Sequence, residues 1–153
     1  KSNDRTFITT IWRDVTDRLV AEQALRESYH AADAPPLPAA ALAGLNETAL
    51  QKARLHLAPA LRLVASGEPV FSIWQATLLG GPAPAWQPEA AVVLRPGFDP
   101  QPHLLPVGAA AVLHALMNGA PIGTALVGAD PGLDLTALLT LLLQGHAIVG
   151  LTP

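Results

Sequence analysis

Ala90-Ala91-Val92-Val93-Leu94-Arg95-Pro96-Gly97-Phe98-Asp99-Pro100-Gln101-Pro102-His103-Leu104-Leu105-Pro106-Val107 opens the part of the chain whose reading decides the fold. Residues 90–94 are an unbroken apolar run of strand length, and Pro96-Gly97 behind them is a turn signal. Together they predict a buried strand entering a hairpin, with residues 103–107 as its antiparallel return. Three helices are expected next. The first covers residues 108–117 and stops at Asn118-Gly119, and the second covers 121–127 with Pro121 in its first turn. The third covers 134–144, capped by Asp134 and stopped by Gly145. Residues 148–151 then return as a closing strand of the same small sheet. The expected core is Val92, Leu94, Leu105, Val112, Leu116, Leu126, Leu138, Leu142 and Ile148, with Val92 and Ile148 sharing one sheet.

Strand, hairpin, three helices and a closing strand make a winged-helix-like domain over residues 89–153. Before it, residues 80–88 (Gly80-Gly81-Pro82-Ala83-Pro84-Ala85-Trp86-Gln87-Pro88) exclude regular structure by their Pro and Gly content and read as a linker. Residues 1–79 form a helical and mixed segment. A long helix is predicted over residues 7–31, because Ile8, Ile11, Val15 and Leu19 recur at helical steps while Asp14, Asp17, Arg18, Glu22 and Arg26 lie off that stripe. Pro35, Pro36 and Pro38 end it, Pro38 opens a short turn through Leu42, and Asn46 is the N-cap of another turn through Lys52. From Ala53 the pattern alternates, which favours two short strands broken at Pro59; a helix over residues 60–64 stays open as the alternative. Pro69 starts a helix carrying Phe71, Ile73 and Trp74. The fold class is α+β.

Composition narrows the function. The chain has 153 residues, half of them hydrophobic, with 14% charged residues and a formal net charge of −3. That balance gives no general attraction to nucleic acid or to an anionic membrane. After Arg95 there are three Asp and neither Lys nor Arg. A helix or wing that reads DNA needs cations for the phosphates, so the C-terminal module points away from nucleic acid. The absence of cysteine excludes disulfides and thiolate chemistry and makes a reducing cytoplasm the default compartment. The most apolar run, residues 133–151, is interrupted by Asp134 and Gln144-Gly145-His146, which argues against a membrane span. The chain opens at Lys1 without Met, which leaves open whether it is a fragment.

No arrangement for catalysis or for a cofactor emerges. His30, His56, His103, His114 and His146 include no His-x₃-His pair, and the best local couple, His30 with Asp33, is read as a packed His and a turn-capping Asp. Ser2, Ser28, Ser66 and Ser72 sit in no nucleophile elbow, and Gly80-Gly81 precedes Pro-rich coil instead of a helix. The chain is expected to bind without turnover. Trp12 and Trp74 read as core residues. Trp86 in the linker, Arg95 as the only cation near the final sheet, and His103 on the hairpin return are the candidate peptide or partner contacts. A small sheet leaves an edge strand to which an extended peptide can add through its backbone.

Two resemblances extend this reading. Ile11-Trp12-Arg13-Asp14-Val15-Thr16-Asp17-Arg18 with Ala21-Glu22-Gln23-Ala24-Leu25-Arg26-Glu27-Ser28 looks like the end of a PAS sensor domain running into its signalling helix. The second resemblance covers more of the chain. Tyr29-His30-Ala31-Ala32-Asp33-Ala34-Pro35-Pro36-Leu37, Pro69-Val70-Phe71-Ser72-Ile73-Trp74-Gln75-Ala76 and Val93-Leu94-Arg95-Pro96-Gly97-Phe98-Asp99 resemble the C-terminal two thirds of the HvfC/BufC-type family, which is related to MbnC. The Leu105-Pro106 helix entry and the Gly119-Ala120-Pro121-Ile122-Gly123-Thr124-Ala125-Leu126 turn follow at matching spacing. The resemblance implies a non-catalytic partner of a multinuclear iron enzyme that modifies cysteines in a ribosomally made, Cys-containing precursor peptide. The family's N-terminal helical region, labelled DNA-binding, is largely missing here. DNA-linked regulation and a truncated domain without activity of its own are the alternatives.

Overall fold

The computed structural model describes residues 19–80 and 87–153, so the first turns of the predicted N-terminal helix, Trp12, and most of the linker with Trp86 lie outside the described residues. Helix α1 spans residues 19–30, α2 Ala39–Ala43 and α3 Glu47–Lys52. Strands β1 (Arg54–Leu57) and β2 (Arg62–Ser66) are followed by α4 (Val70–Leu79), β3 (Glu89–Leu94) and β4 (Gln101–Leu104). Helices α5 (Ala109–Met117), α6 (Ile122–Ala125) and α7 (Leu135–Gln144) lead to β5 (Ile148–Thr152). The architecture is α+β, and no helix among the described residues is long and apolar enough to cross a membrane.

Local chemistry accounts for most boundaries. The Asn46 side chain accepts from the Ala49 amide at 2.8 Å, and Asp134 accepts from the Ala137 amide at 2.9 Å, each satisfying an N–H the helix cannot pair internally. Helix α4 begins behind Pro69, which has no capping side chain. Glu89 of β3 caps it instead: its carboxylate accepts from the Ser72 amide at 2.9 Å and from the Ser72 hydroxyl at 2.5 Å. At the end of α7, Gly145 lies against the core. A Cβ there would come within 2.9 Å of Leu94 Cβ, so any side chain would displace a residue that is only 1% exposed.

The strands form two sheets. β2, β3 and β4 are antiparallel in that order, with Leu63 opposite Val92 and Val92 opposite His103. β1 and β5 form a separate antiparallel pair, Leu55 opposite Leu151, with a bulge at His56 and Leu57. Val92 and Ile148 therefore stand in different sheets, and the expected closure of one sheet by the last strand is overturned. Both edges of β3 are taken by β2 and β4, so the returning strand finds its partner in β1, which precedes the linker. The hairpin return is also displaced. β4 covers Gln101–Leu104, and its ladder with β3 ends at the bond from the Leu105 amide to Ala90 O.

β3 is buried on both faces, which its continuous apolar sequence requires. Val92 and Leu94 enter the main core with Leu105, Val112, Leu113, Leu116, Ile122, Leu138, Leu142 and Ile148. Ala53, Leu55 and Leu61, from before the linker, belong to the same core. Every expected core residue is buried except Leu126, which packs against the core partly buried. On the other face, Val93 and Val64 meet Ala24 of α1 and Val70 of α4, with Ala21 and Leu25 at the margin.

Candidate functional site

β4 and β2 are the two edge strands of the three-stranded sheet, and the outer edge of β4 adjoins apolar surface. The Leu105 amide donates to Ala90 O at 2.9 Å, toward β3. Backbone groups alternate in direction along a strand, so Gln101 and His103 also face β3 while Pro102 and Leu104 face outward. Pro102 has no N–H, a placement tolerated only at an edge. The edge therefore presents the Leu104 N–H and C=O and the Pro102 C=O. Among the described residues, no backbone hydrogen bond from another element reaches them.

Apolar surface adjoins this edge. Leu104 is 49% and Val107 69% exposed, although both are large aliphatic residues. Between the ends of β2 and β4 and the start of α5 lies a groove of about 490 Å³, lined by Ala65, Gln87, Pro88, Leu105, Val107 and Gly108 among others. Gly108 holds a positive φ of 76°, and a Cβ there would meet Asp130 Cβ at 2.6 Å, so Asp130 packs directly against Gly108. A main-chain donor and acceptor beside an apolar groove is the arrangement by which an extended segment adds to a sheet.

The three candidate contact residues have different fates. Trp86 lies outside the described residues, although Gln87 and Pro88 behind it line the groove. Arg95 is turned inward, with a side chain only 6% exposed. Nη1 donates to Ser28 O at 2.5 Å and Tyr29 O at 2.8 Å, and Nη2 donates to Ala31 O at 3.0 Å, Ala32 O at 3.3 Å and Asp33 Oδ1 at 2.6 Å. The guanidinium thus closes the carbonyl end of α1, where the helix dipole is negative. As a candidate peptide or partner contact Arg95 is therefore already occupied, its donors taken by the chain itself. Asp33, expected to cap a turn, serves as the exposed counter-ion of Arg95.

His103 stands on β4 opposite Val92, so its side chain lies on the main-core face of the sheet, half-buried. Desolvation there lowers its pKa below the ordinary 6.5. His30 makes an edge-on ring contact with Tyr29 at 5.1 Å, and His114 faces the Asn118 amide. Among the described residues, no three His, Cys, Asp or Glu side chains gather as a group able to hold a metal.

Sequence reasoning missed two polar anchors, the Glu89 cap and the Arg95 clasp. Each joins residues far apart in the chain, and the only signal for either was a charged residue at the end of an apolar strand. A third went unnoticed as well: Arg62 Nε donates to Glu27 Oε2 at 3.1 Å, tying α1 to β2. The Gln23 amide, which donates to the same carboxylate at 3.0 Å, and after it the Arg62 bond lower the Glu27 pKa. No protein-family model matches the chain, and neither does any curated protein or solved structure.

Proposed function

We propose that this chain is a binding module that holds an extended peptide or partner segment along the outer edge of β4 and performs no turnover itself. The open backbone at Leu104, beside two exposed aliphatic residues and a groove, carries the reading. The resemblance of residues 29–37, 69–76 and 93–99 to the HvfC/BufC-type family supports a Cys-containing precursor peptide as the bound segment and a multinuclear iron enzyme as the partner. The chain would contribute position, presenting the peptide to chemistry carried out by the partner.

The test is calorimetric titration of candidate precursor peptide and iron enzyme, separately and together, into the folded chain. The same titrations are run with Leu104→Pro, which removes the one outward amide, and Leu104→Ala, which keeps it. Heat with the wild type and Leu104→Ala but not with Leu104→Pro is the expected result. Absence of heat in every combination with a folded sample rejects the proposal.

A further inference from the structure

We infer that the segment added to β4 is apolar at its centre and cationic at its ends, with acidic peptides disfavoured; this rests on the β4 reading and specifies its ligand. Arg95 is spent on five oxygens of residues 28–33 and is nearly inaccessible, and Arg62, on β2 across the sheet from β4, is committed to the Glu27 carboxylate and to Pro59 O and Leu61 O. Beyond Arg95 the chain has no Lys or Arg. The charged groups that flank the edge are carboxylates. Asp99, exposed, lies two residues before β4, and Asp130, exposed, stands against Gly108, one of the residues that line the groove. One Asp130 oxygen accepts from the Gly132 amide at 2.7 Å. Glu89, at the inner rim, adds a third carboxylate, bonded to Ser72.

A strand lying along Gln101–Leu104 and onward over Val107 would therefore run from one exposed carboxylate toward another, across a neutral, apolar middle. Lys or Arg at its ends meets opposite charge; Glu or Asp meets like charge, and neither β4 nor any residue after Arg95 supplies a Lys or Arg to offset it. The middle residues meet Leu104 and Val107. Specificity against acidic segments comes from repulsion as much as from attraction.

The experiment uses the whole chain and three blocked octapeptides with a common Val-Thr-Val-Thr centre and paired Lys, paired Ser or paired Glu at both ends. Binding is followed by amide NMR shifts at low and high salt. At low salt the Lys-ended peptide is expected to bind about three- to tenfold more tightly than the Glu-ended one, the range of exposed charge pairs, and the gap should close at high salt. Asp99→Asn combined with Asp130→Asn should erase the gap and leave the Ser-ended peptide unaffected. Leu104→Pro should abolish all three, and exchange protection of the Leu104 amide in the wild type gives the same answer without a variant. Equal affinities at low salt with binding still lost in Leu104→Pro would overturn the charge inference and leave the edge standing. Tighter binding of the Glu-ended peptide would overturn it too. Binding by none of the peptides removes the edge reading and this inference with it. Self-association of the chain in sedimentation, abolished by Leu104→Pro, would assign the edge to a second copy and equally overturn the inference.

Discussion

Arg95 makes more internal hydrogen bonds than any other side chain described above, and its removal separates two effects. Its ion pair with Asp33 is exposed on the Asp side, 86%, and contributes little. The bonds to the α1 carbonyls are charge-assisted and nearly dry. Arg95→Ala should therefore destabilise the chain by about 2–3 kcal/mol, and Asp33→Ala by about 0–1 kcal/mol. Urea denaturation of the two variants checks the ranking, and amide exchange should show the last turn of α1 opening in Arg95→Ala alone. His103 gives a pH prediction. Its folded pKa is depressed, so the folded state binds the proton less readily than the unfolded chain does. Its contribution is complete above the ordinary value of 6.5 and is lost as pH falls below that value toward the folded pKa. Urea midpoints should fall as pH drops through this window, and His103→Gln should flatten that part of the curve. A His103→Gln profile that keeps the wild-type slope would remove the residue from the account.

At the scale of elements, Glu89 links a strand to a helix. It pairs with Ser66 in the β2–β3 ladder and closes the start of α4 through Ser72. Glu89→Ala should cost about 1–2 kcal/mol, as loss of a helix cap does, and should raise amide exchange in the first turn of α4 before it affects β3. Uniform exchange changes across both elements would contradict this division. The elements themselves were largely legible in the sequence where their causes are local. Asn46 and Asp134 announce their helices because a cap and its amide are three residues apart, and Pro96-Gly97 announces a hairpin. Strand partners are a different matter. Nothing near Ile148 names Leu57 as its neighbour, and the alternation in β1 fits either an isolated hairpin or an edge awaiting a distant strand. The β4 edge was expected in kind, but its outward amide depends on register with β3, which the hairpin's sequence does not state, and the strand lies at Gln101–Leu104 instead of 103–107. Arg95 was expected to be the sole cation near the sheet, but Arg62 stands on β2 of the same sheet, and the carbonyls that take up Arg95 lie more than sixty residues earlier.

Across the whole molecule, one core draws on both sides of the linker. Residues 89–153 taken alone would lose β1 from β5, β2 from β3, and Ala53, Leu55 and Leu61 from the core. That fragment is expected to show no cooperative thermal transition and to bind hydrophobic dye, whereas the full chain should melt in one step; a sharp transition in the fragment would show that it folds alone. The charge distribution carries the other expectation at this scale. Without accessible cations after Arg95, binding to duplex DNA should be no stronger than that of an unrelated acidic protein, and a steep inverse salt dependence at micromolar affinity would contradict it. The pairing of β1 with β5 also sets a clock on the nascent chain. Leu57 waits for Ile148, and every intervening residue must be synthesised first. At ribosomal speeds that delay is about 5–20 s. During it β2, β3 and β4 can already assemble, while Leu55 stays open to water and to chaperones, so the two-stranded pair joins last and errors in synthesis or folding are most exposed there.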